Sequence, residues 1–235
     1  MPHQDLVDLA SRTDSDTDIG AFLREVRETL QVDHAAYAGL TPAGGPILGE
    51  VTYPQEWRHI YAEKEFHKVD PTLRMAARSI APVEWNRLAE DPHYDSVFRA
   101  ARDFGIPGNG LTVPVRGPYG DVGLFSVARA EPHSWPAWKR SYMSDLHAVA
   151  VHLHDKVVKS QEFAIELVEP RMSAREVEIL QWIAAGKSQL DVAAILSISQ
   201  RTVEVHLSSA RRKLDALTTA QAVARATGRG MIYPM

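Results

Sequence analysis

The sequence predicts two domains: an α+β domain with an antiparallel sheet flanked by helices, then an all-α domain of four helices. The first 170 residues mix helical hydrophobic spacing with short β-rich runs between Gly/Pro turns, whereas residues 173–235 show helical spacing alone. Charge divides the chain at the same place. Residues 171–235 hold nine basic and five acidic residues, a net charge of +4, and the preceding 17 basic and 25 acidic residues give −8.

Composition is that of a globular protein, with 45% hydrophobic and 24% charged residues in 235. A disordered tail or a fibre is excluded on this ground. The absence of cysteine excludes disulfides, thiolate metal sites and cysteine nucleophiles. No apolar run approaches the ~20 residues of a membrane span, and the acidic start is unlike a secretory signal. We therefore expect a cytoplasmic protein without a membrane partner.

The α+β domain is predicted from helical runs that alternate with hairpins. Two Gly/Pro-rich turn clusters each lie between β-rich runs, which predicts two hairpins. Helices are predicted over 19–32, from Pro54 to about Phe66, after Asp70-Pro71, over roughly 84–102, and from Trp135 to about Glu166. Together these elements form a small antiparallel sheet with helices packed on it. The predicted boundaries are 1–166 for this domain, 167–172 for a linker and 173–235 for the second domain.

The second domain is predicted from helix caps. Ser173-Ala-Arg-Glu176 matches a capping box, and Gly186 is placed to end that helix. Ser188 starts the next helix, and Ser197-Ile198-Ser199 separates it from a third. A second capping box at Thr218–Gln221 opens a last helix that ends at Gly228. Four short helices with a tight turn between the second and third match a helix-turn-helix module.

The third helix of this module has the face that a recognition helix needs. Its apolar stripe (Val203, Leu207, Ala210, Leu214) leaves short polar groups outward near the start and arginines near the end, which suits the major groove. Glu204 is discordant, and either accepts from cytosine or pairs with a nearby arginine. The alternative for the whole face is a solvated helix in a structural bundle. The predicted DNA contacts are Lys187, Gln200, Arg201, Thr202, Val205, Ser208, Ser209, Arg211 and Arg212.

The module resembles a known family. The stretch Ser173–Lys187, with Thr202–Leu207 and Arg212-Lys-Leu214, resembles the LuxR-type helix-turn-helix. Glu176, Leu180 and Gly186 fall at that family's characteristic positions. Ser197 stands where a turn glycine is frequent, so we expect either modest backbone strain or a slightly different turn there. The resemblance implies that this module binds DNA.

The first 170 residues separate two kinds of LuxR-type protein. A phosphorylated receiver domain has alternating βα units with an early acidic pair, and this sequence has hairpins instead. Residues 53–57, Tyr61, Asp70-Pro71-Thr72, Trp85 and Gly110 resemble the autoinducer-binding domain of acyl-homoserine-lactone receptors. The resemblance implies that residues 1–166 bind an N-acyl-homoserine lactone and dimerise.

The resemblance also implies roles for single residues. Trp57 donates to the lactone carbonyl, Asp70 accepts the amide N–H, and Tyr53 donates to the acyl carbonyl, aided by Ser126. Thr72 assists Asp70, and Tyr61 and Trp85 form walls. Apart from the resemblance, Ala36, Ala38 and Leu40 alternate onto one face of the first strand, and the small residues there, with Gly49 on the next strand, are expected to leave room for a longer or bulkier acyl group. The predicted ligand-binding residues are Tyr53, Trp57, Tyr61, Asp70, Thr72, Trp85, Ser126, Ala36 and Ala38.

Structural roles are the alternative for these residues. Asp70 before Pro71 is also what a helix N-cap with proline at the first position requires. The aromatic residues suit a plain core, and small strand residues such as Ala36 and Ala38 let a helix pack closely. Gly110 is expected to serve a turn or close packing rather than ligand contact.

The function that follows is a ligand-controlled transcription factor. We expect a homodimer that binds inverted-repeat promoter DNA, with the transcription machinery as a further partner. The alternative is a ligand-independent or inhibitory protein that forms heterodimers with related receptors. No nucleophile, base and orienting group stand together, so we expect neither an enzyme nor a cofactor. His147, His152 and His154 are spaced onto different helix faces and do not predict a metal site.

Overall fold

The protein is described from a computed structural model that covers residues 18–40, 48–117, 120–131, 134–159 and 171–233. Two compact units are present, one formed chiefly by the described residues up to 159 and the other by residues from 171 onward. The predicted boundary at 166 and most of the predicted linker lie outside the described residues. None of the described helices is long and apolar enough to cross a membrane.

A five-stranded antiparallel sheet forms the centre of the first unit, as predicted. Its strands lie in the order β2-β1-β5-β4-β3. The register places Ala36 of β1 opposite Ser126 of β5, and Ser126 opposite Thr112 of β4, so these three lie in one row across the sheet. The strands are β1 (His34–Leu40), β2 (Leu48–Val51), β3 (Val83–Glu84), β4 (Gly110–Arg116) and β5 (Val122–Ala128).

Helices cover both faces of this sheet. Because successive strand residues alternate in direction, Tyr37 faces one side and Ala36 and Ala38 the other. Tyr37 Oη lies 2.7 Å from His154 Nδ1 of the long helix α5, which also meets α1 through a hydrogen bond from Trp138 Nε1 to Leu30 O. The helices are α1 (Ile19–Leu30), α2 (Gln55–Glu63), α3 (Pro71–Ala76), α4 (Tyr94–Arg102) and α5 (Trp135–Lys159). The opposite face packs against the segment that contains α2, α3 and α4.

Residues 84–102 do not form the single helix that the sequence predicts. A short 3₁₀ helix spans Trp85–Leu88, and α4 starts only at Tyr94. Pro92 explains the break, since proline lacks the N–H that a helix interior needs and disfavours helical backbone in the preceding residue. The predicted helix from Pro54 is also shorter: α2 ends at Glu63, and a separate 3₁₀ turn covers Phe66–Lys68.

The second unit consists of α6 (Ala174–Ala184), α7 (Gln189–Leu196), α8 (Gln200–Lys213) and α9 (Thr219–Gly228). Ser173 and Ser188 each form a reciprocal capping box, and Gly186 follows α6 with φ of 84°. Ser197 adopts the left-handed conformation, with φ of 51°, which corresponds to the first of the two expectations, a modestly strained backbone. At Thr218 the predicted box is only half formed, because the Gln221 side chain accepts from Leu217 N instead. Ile179, Leu180, Val192, Val203 and Leu207 are buried at the centre of this unit.

Candidate functional site: an apolar cavity and a basic helix

A cavity of about 260 Å³ lies between the sheet and the segment that contains α2, α3 and α4. All nine residues that the sequence predicts for ligand contact line it. The sheet contributes its floor through Ala36 and Ala38 of β1, Ser126 of β5 and Gly49 of β2. Their small side chains account for the space above the strands. The predicted positions are therefore brought together at one place, while their roles toward a ligand remain a prediction.

Asp70 is the buried carboxylate of this cavity. Its side chain caps α3, accepting from Thr72 N at 2.8 Å, and Pro71 occupies the first helical position. It also accepts from Thr72 Oγ1 and, at 2.8 Å, from Tyr61 Oη. Burial raises the pKa of Asp70, and the hydrogen bonds from Thr72 and Tyr61 oppose that rise. Asp70 thus has the structural role of an N-cap and also lines the cavity.

Two hydrogen-bond donors of the cavity wall lack a partner among the described residues: Trp57 Nε1 and Tyr53 Oη. Trp57 is only 3% exposed, and its indole packs against the rings of Tyr61, Phe66 and Phe104. Burial, together with the nearby Asp70 carboxylate, raises the pKa of Tyr53, so its hydroxyl keeps its proton. Both residues line the cavity, so a bound molecule can reach these two donors. These two groups are therefore suited to a ligand that supplies acceptors.

Trp85 is held against the backbone at the start of β4. A Cβ atom added to Gly110 would lie 2.3 Å from Cδ2 of the Trp85 indole. The indole also meets the Phe98 ring edge to face, with centroids 5.5 Å apart. Gly110 therefore serves close packing, one of the two roles expected for it.

The sequence did not predict several other residues of the wall. Arg58 and His67 are exposed side chains that line the cavity, and Val97, Ala101 and Ile106 complete its apolar part. Arg58 could have been predicted to line the cavity, because it follows Trp57 directly on α2. No sequence pattern indicated His67, because its position depends on the 3₁₀ turn that follows α2.

The second unit presents a polar and basic face on α8. Six of the nine residues predicted for DNA contact are exposed: Lys187, Gln200, Arg201, Val205, Ser208 and Arg212. Gln200, Arg201, Val205 and Ser208 share one shallow surface groove. Thr202 is half-buried, and its hydroxyl lies 2.8 Å from Ser199 Oγ at the start of the helix.

Two predicted DNA contacts are engaged within the unit. Arg211 donates to Glu204 Oε1 at 2.8 Å and to Thr219 Oγ1 at 3.1 Å, so Glu204 pairs with an arginine, one of the two roles predicted for it. Ser209 is half-buried and hydrogen-bonds to the Glu176 carboxylate. The outward face is therefore narrower than predicted, because the turn of the helix brings Ser209 toward α6.

Glu176 ties α6 to the end of α8. Its carboxylate accepts from Ser173 N at 2.6 Å and pairs with Lys213 Nζ at 2.7 Å. Burial favours the neutral acid, but the hydrogen bonds from Lys213, Ser173 and Ser209 outweigh it and lower the pKa of Glu176 to about 2. This pair attaches the C-terminal end of α8 to α6, and the Ser199 side chain caps the N-terminal end of α8 locally.

Comparison with known proteins gives two family matches and several relatives. Residues 15–157 match the family of autoinducer binding domains, and residues 170–226 match the luxR family of bacterial regulatory proteins. The transcriptional activator protein RaiR of Rhizobium etli is 37% identical over 186 residues, which are 78% of this chain and 76% of RaiR.

Solved structures share the fold. SdiA in complex with octanoyl-rac-glycerol superposes with a TM-score of 0.77 at 23% identity, over 99% of this chain and 96% of SdiA. The N-acylhomoserine lactone dependent LuxR family transcription factor CepR2 of Burkholderia cenocepacia superposes with a TM-score of 0.57 at 19% identity, over 67% and 97% of the two chains.

Two matched domains, in this order, together span most of the chain. The curated relatives are transcriptional regulators, and no family of enzymes is indicated. The α+β unit with its cavity and the helical unit with its basic face are the counterparts of these two domains. The chain therefore belongs to the LuxR-type quorum-sensing transcriptional regulators, with an autoinducer-binding domain followed by a LuxR-family DNA-binding domain.

Proposed function

We propose that the cavity binds an N-acyl-homoserine lactone. Such a lactone has one amide N–H donor, two carbonyl acceptors and an apolar chain. The cavity wall offers a buried carboxylate, two donors without a partner in the described chain, and an apolar remainder. The observation that carries the proposal is this match, above all the unpaired donors Trp57 Nε1 and Tyr53 Oη.

The proposed contacts follow the family resemblance. Trp57 donates to the lactone carbonyl, Asp70 accepts the amide N–H, and Tyr53 and Ser126 donate to the acyl carbonyl. Tyr61 and Thr72 position the Asp70 carboxylate through the hydrogen bonds described above. Trp85 forms a wall, and Ala36 and Ala38 leave space for the acyl chain. The description of CepR2 as lactone dependent supports this ligand class.

A test removes one donor and keeps an aromatic, although smaller, side chain at the same position. Trp57→Phe in the full-length protein should lower the affinity for N-octanoyl-homoserine lactone roughly tenfold, because one buried hydrogen bond is lost. Isothermal titration calorimetry measures the dissociation constants. Trp182→Phe, a tryptophan of α6 in the other unit, is the matched control and should bind as the unaltered protein does.

Octanoyl-glycerol is the competing ligand, because SdiA was solved with it. It has an ester carbonyl, and its donors are flexible glycerol hydroxyls instead of an amide N–H fixed beside the acyl carbonyl. We expect weaker binding than for the lactone of the same chain length. No binding of lactones of any chain length by the unaltered protein would refute the proposal.

We further propose that the protein acts on DNA as a homodimer in the cytoplasm. The helix α5 carries an exposed apolar side chain, Val151, and is the candidate dimerisation surface. Two-fold symmetry places two copies of α8 on the two halves of an inverted repeat. Proposed base and phosphate contacts come from the exposed residues Lys187, Gln200, Arg201, Val205, Ser208 and Arg212, and the half-buried Thr202, Ser209 and Arg211 complete the predicted set.

Arg212 offers a direct test of the phosphate contacts. It is exposed and has no ion pair within the described residues, whereas Arg211 is held by Glu204. Arg212→Ala should weaken DNA binding and reduce the slope of log affinity against log salt concentration by about one unit. Fluorescence anisotropy with a duplex selected from a random pool measures both. An unchanged slope would mean that Arg212 meets no phosphate.

Ligand binding is proposed to act by stabilising the folded first domain. A ligand that binds only the folded state adds RT ln(1 + [L]/Kd) to the stability. The same molecule would pair the two cavity donors and fill the apolar space beside them, and both effects favour the folded state. An ordered first domain then dimerises and presents two recognition helices.

A further inference from the structure

A chain of three side chains crosses the sheet at the cavity floor. Trp85 Nε1 donates to Thr112 Oγ1 at 2.9 Å, and Thr112 Oγ1 lies 2.9 Å from Ser126 Oγ. Thr112 and Ser126 are direct neighbours on β4 and β5. Ser126 lines the cavity, whereas Thr112 is 1% exposed and lies behind it. The chain therefore connects a buried indole to the surface that meets the ligand.

The chemistry of these groups fixes the direction of each hydrogen bond. An indole N–H is only a donor, so Thr112 Oγ1 must accept from Trp85. The Thr112 hydroxyl proton then needs an acceptor, and Ser126 Oγ is the remaining partner of Thr112 within the described chain. If Ser126 donated instead, the Thr112 O–H would be buried without an acceptor, which is unfavourable. Ser126 therefore accepts from Thr112, and its own proton is left for the cavity.

The first donor of the chain is held in place. The Trp85 indole lies against the backbone of Gly110, where there is no room for a Cβ atom, and against the ring of Phe98. A fixed indole N–H keeps Thr112 in the accepting orientation. The direction of the Ser126 hydroxyl is thus set, through Thr112, by the indole N–H of Trp85.

We propose that Thr112 is a positioning residue that makes Ser126 a hydrogen-bond donor to the ligand. The cavity then selects ligands with an acceptor oxygen, such as an acyl carbonyl, opposite Ser126. This inference rests on the proposed lactone binding and adds to it a residue that does not touch the ligand.

Thr112→Val tests the inference, since valine keeps the shape of threonine and removes its hydroxyl. Affinity for N-octanoyl-homoserine lactone, measured by calorimetry on the full chain, should fall roughly tenfold. Ser126→Ala should have a similar effect. In the double variant, Thr112→Val should cause no loss beyond that of Ser126→Ala, because Thr112 acts through Ser126.

Thr112→Ser separates positioning from packing. It restores the hydroxyl without the methyl group and should bind the lactone within about twofold of the unaltered protein. A Thr112→Val penalty that persists in full in the Ser126→Ala background would overturn the inference, as would lactone binding by Thr112→Val equal to that of the unaltered protein. Failure of the unaltered protein to bind any lactone would instead refute the proposed function, and this inference with it.

Discussion

Asp70 combines two roles that the sequence left as alternatives. Its carboxylate caps α3 through Thr72 N, and the same group lines the cavity beside Tyr61. The cap fixes the carboxylate at the start of a short helix, so one local structure provides both the fold and the binding geometry. Such a residue is tested best by a change that preserves the cap.

Asp70→Asn preserves it, because asparagine caps helices about as well as aspartate. The amide has lost the charge and one acceptor oxygen, so lactone affinity should fall by roughly 10- to 100-fold. Calorimetry with N-octanoyl-homoserine lactone measures the loss, and thermal unfolding without ligand checks that the domain remains folded. Equal affinity of the two proteins would remove Asp70 from the proposed contact.

Acidification gives a second readout of the same residue. Burial raises the pKa of Asp70 above its ordinary value of 3.8, so the carboxylate takes up a proton at a higher pH than an exposed one. Because the protonated acid is a poorer acceptor, lactone affinity should fall as pH drops through the raised pKa. The lactone affinity of the Asp70→Asn protein should not show this fall with pH.

The sequence predicted which residues line the cavity better than it predicted the hydrogen bonds between them. All nine predicted positions line the cavity, because the family resemblance assigns them by order along the chain. The bond from Tyr61 to Asp70 and the link from Trp85 to Thr112 depend on helix ends and strand register, which single residues do not reveal. Arg211 was predicted to face outward, but its side chain hydrogen-bonds to Glu204 and Thr219. The long arginine side chain spans more than one helical turn, so its position on the helix does not determine its partners.

At the scale of elements, Gly110 determines how β4 meets Trp85. Gly110→Ala would place a methyl group inside the indole, so Trp85 or the strand must move. We expect a loss of about 1–3 kcal/mol in the free energy of unfolding and weaker lactone binding. Urea denaturation, monitored by tryptophan fluorescence, measures the free energy of unfolding of the first domain.

Gly108→Ala is the matched control in the same segment. A Cβ atom there has Tyr94 Oη as its nearest neighbour at 3.8 Å, an ordinary contact. Its stability should therefore stay close to that of the unaltered protein. Similar losses for both variants would show that the segment, and not the indole contact, is sensitive.

Element boundaries show where local pattern is sufficient and where it is not. Helices α6 to α9 follow the predicted caps closely, because a cap is a local interaction between a side chain and the next turn. The helix predicted over 84–102 was wrong, since its apolar spacing continued across Pro92 and the chain there forms β3 and a 3₁₀ turn first. Pairing of Val83 with Thr112 is a distant contact that periodicity does not contain.

At the scale of the whole molecule, the net charge of −4 is the sum of two unlike parts. The acidic first 170 residues disfavour indiscriminate association with DNA, and the basic last 65 favour it. Specific binding is therefore expected to depend on two recognition helices held together in a dimer. In the proposed account the lactone controls this dimer by ordering the first domain.

The most direct test is DNA affinity of the full-length protein with and without lactone. A duplex is selected from a random pool in the presence of N-octanoyl-homoserine lactone, and its dissociation constant is then measured by fluorescence anisotropy in both conditions at one salt concentration. We expect an inverted-repeat duplex and an affinity roughly 5- to 150-fold higher with lactone, the usual range of coupling between two sites. Equal affinity in both conditions would contradict ligand control and favour a ligand-independent regulator.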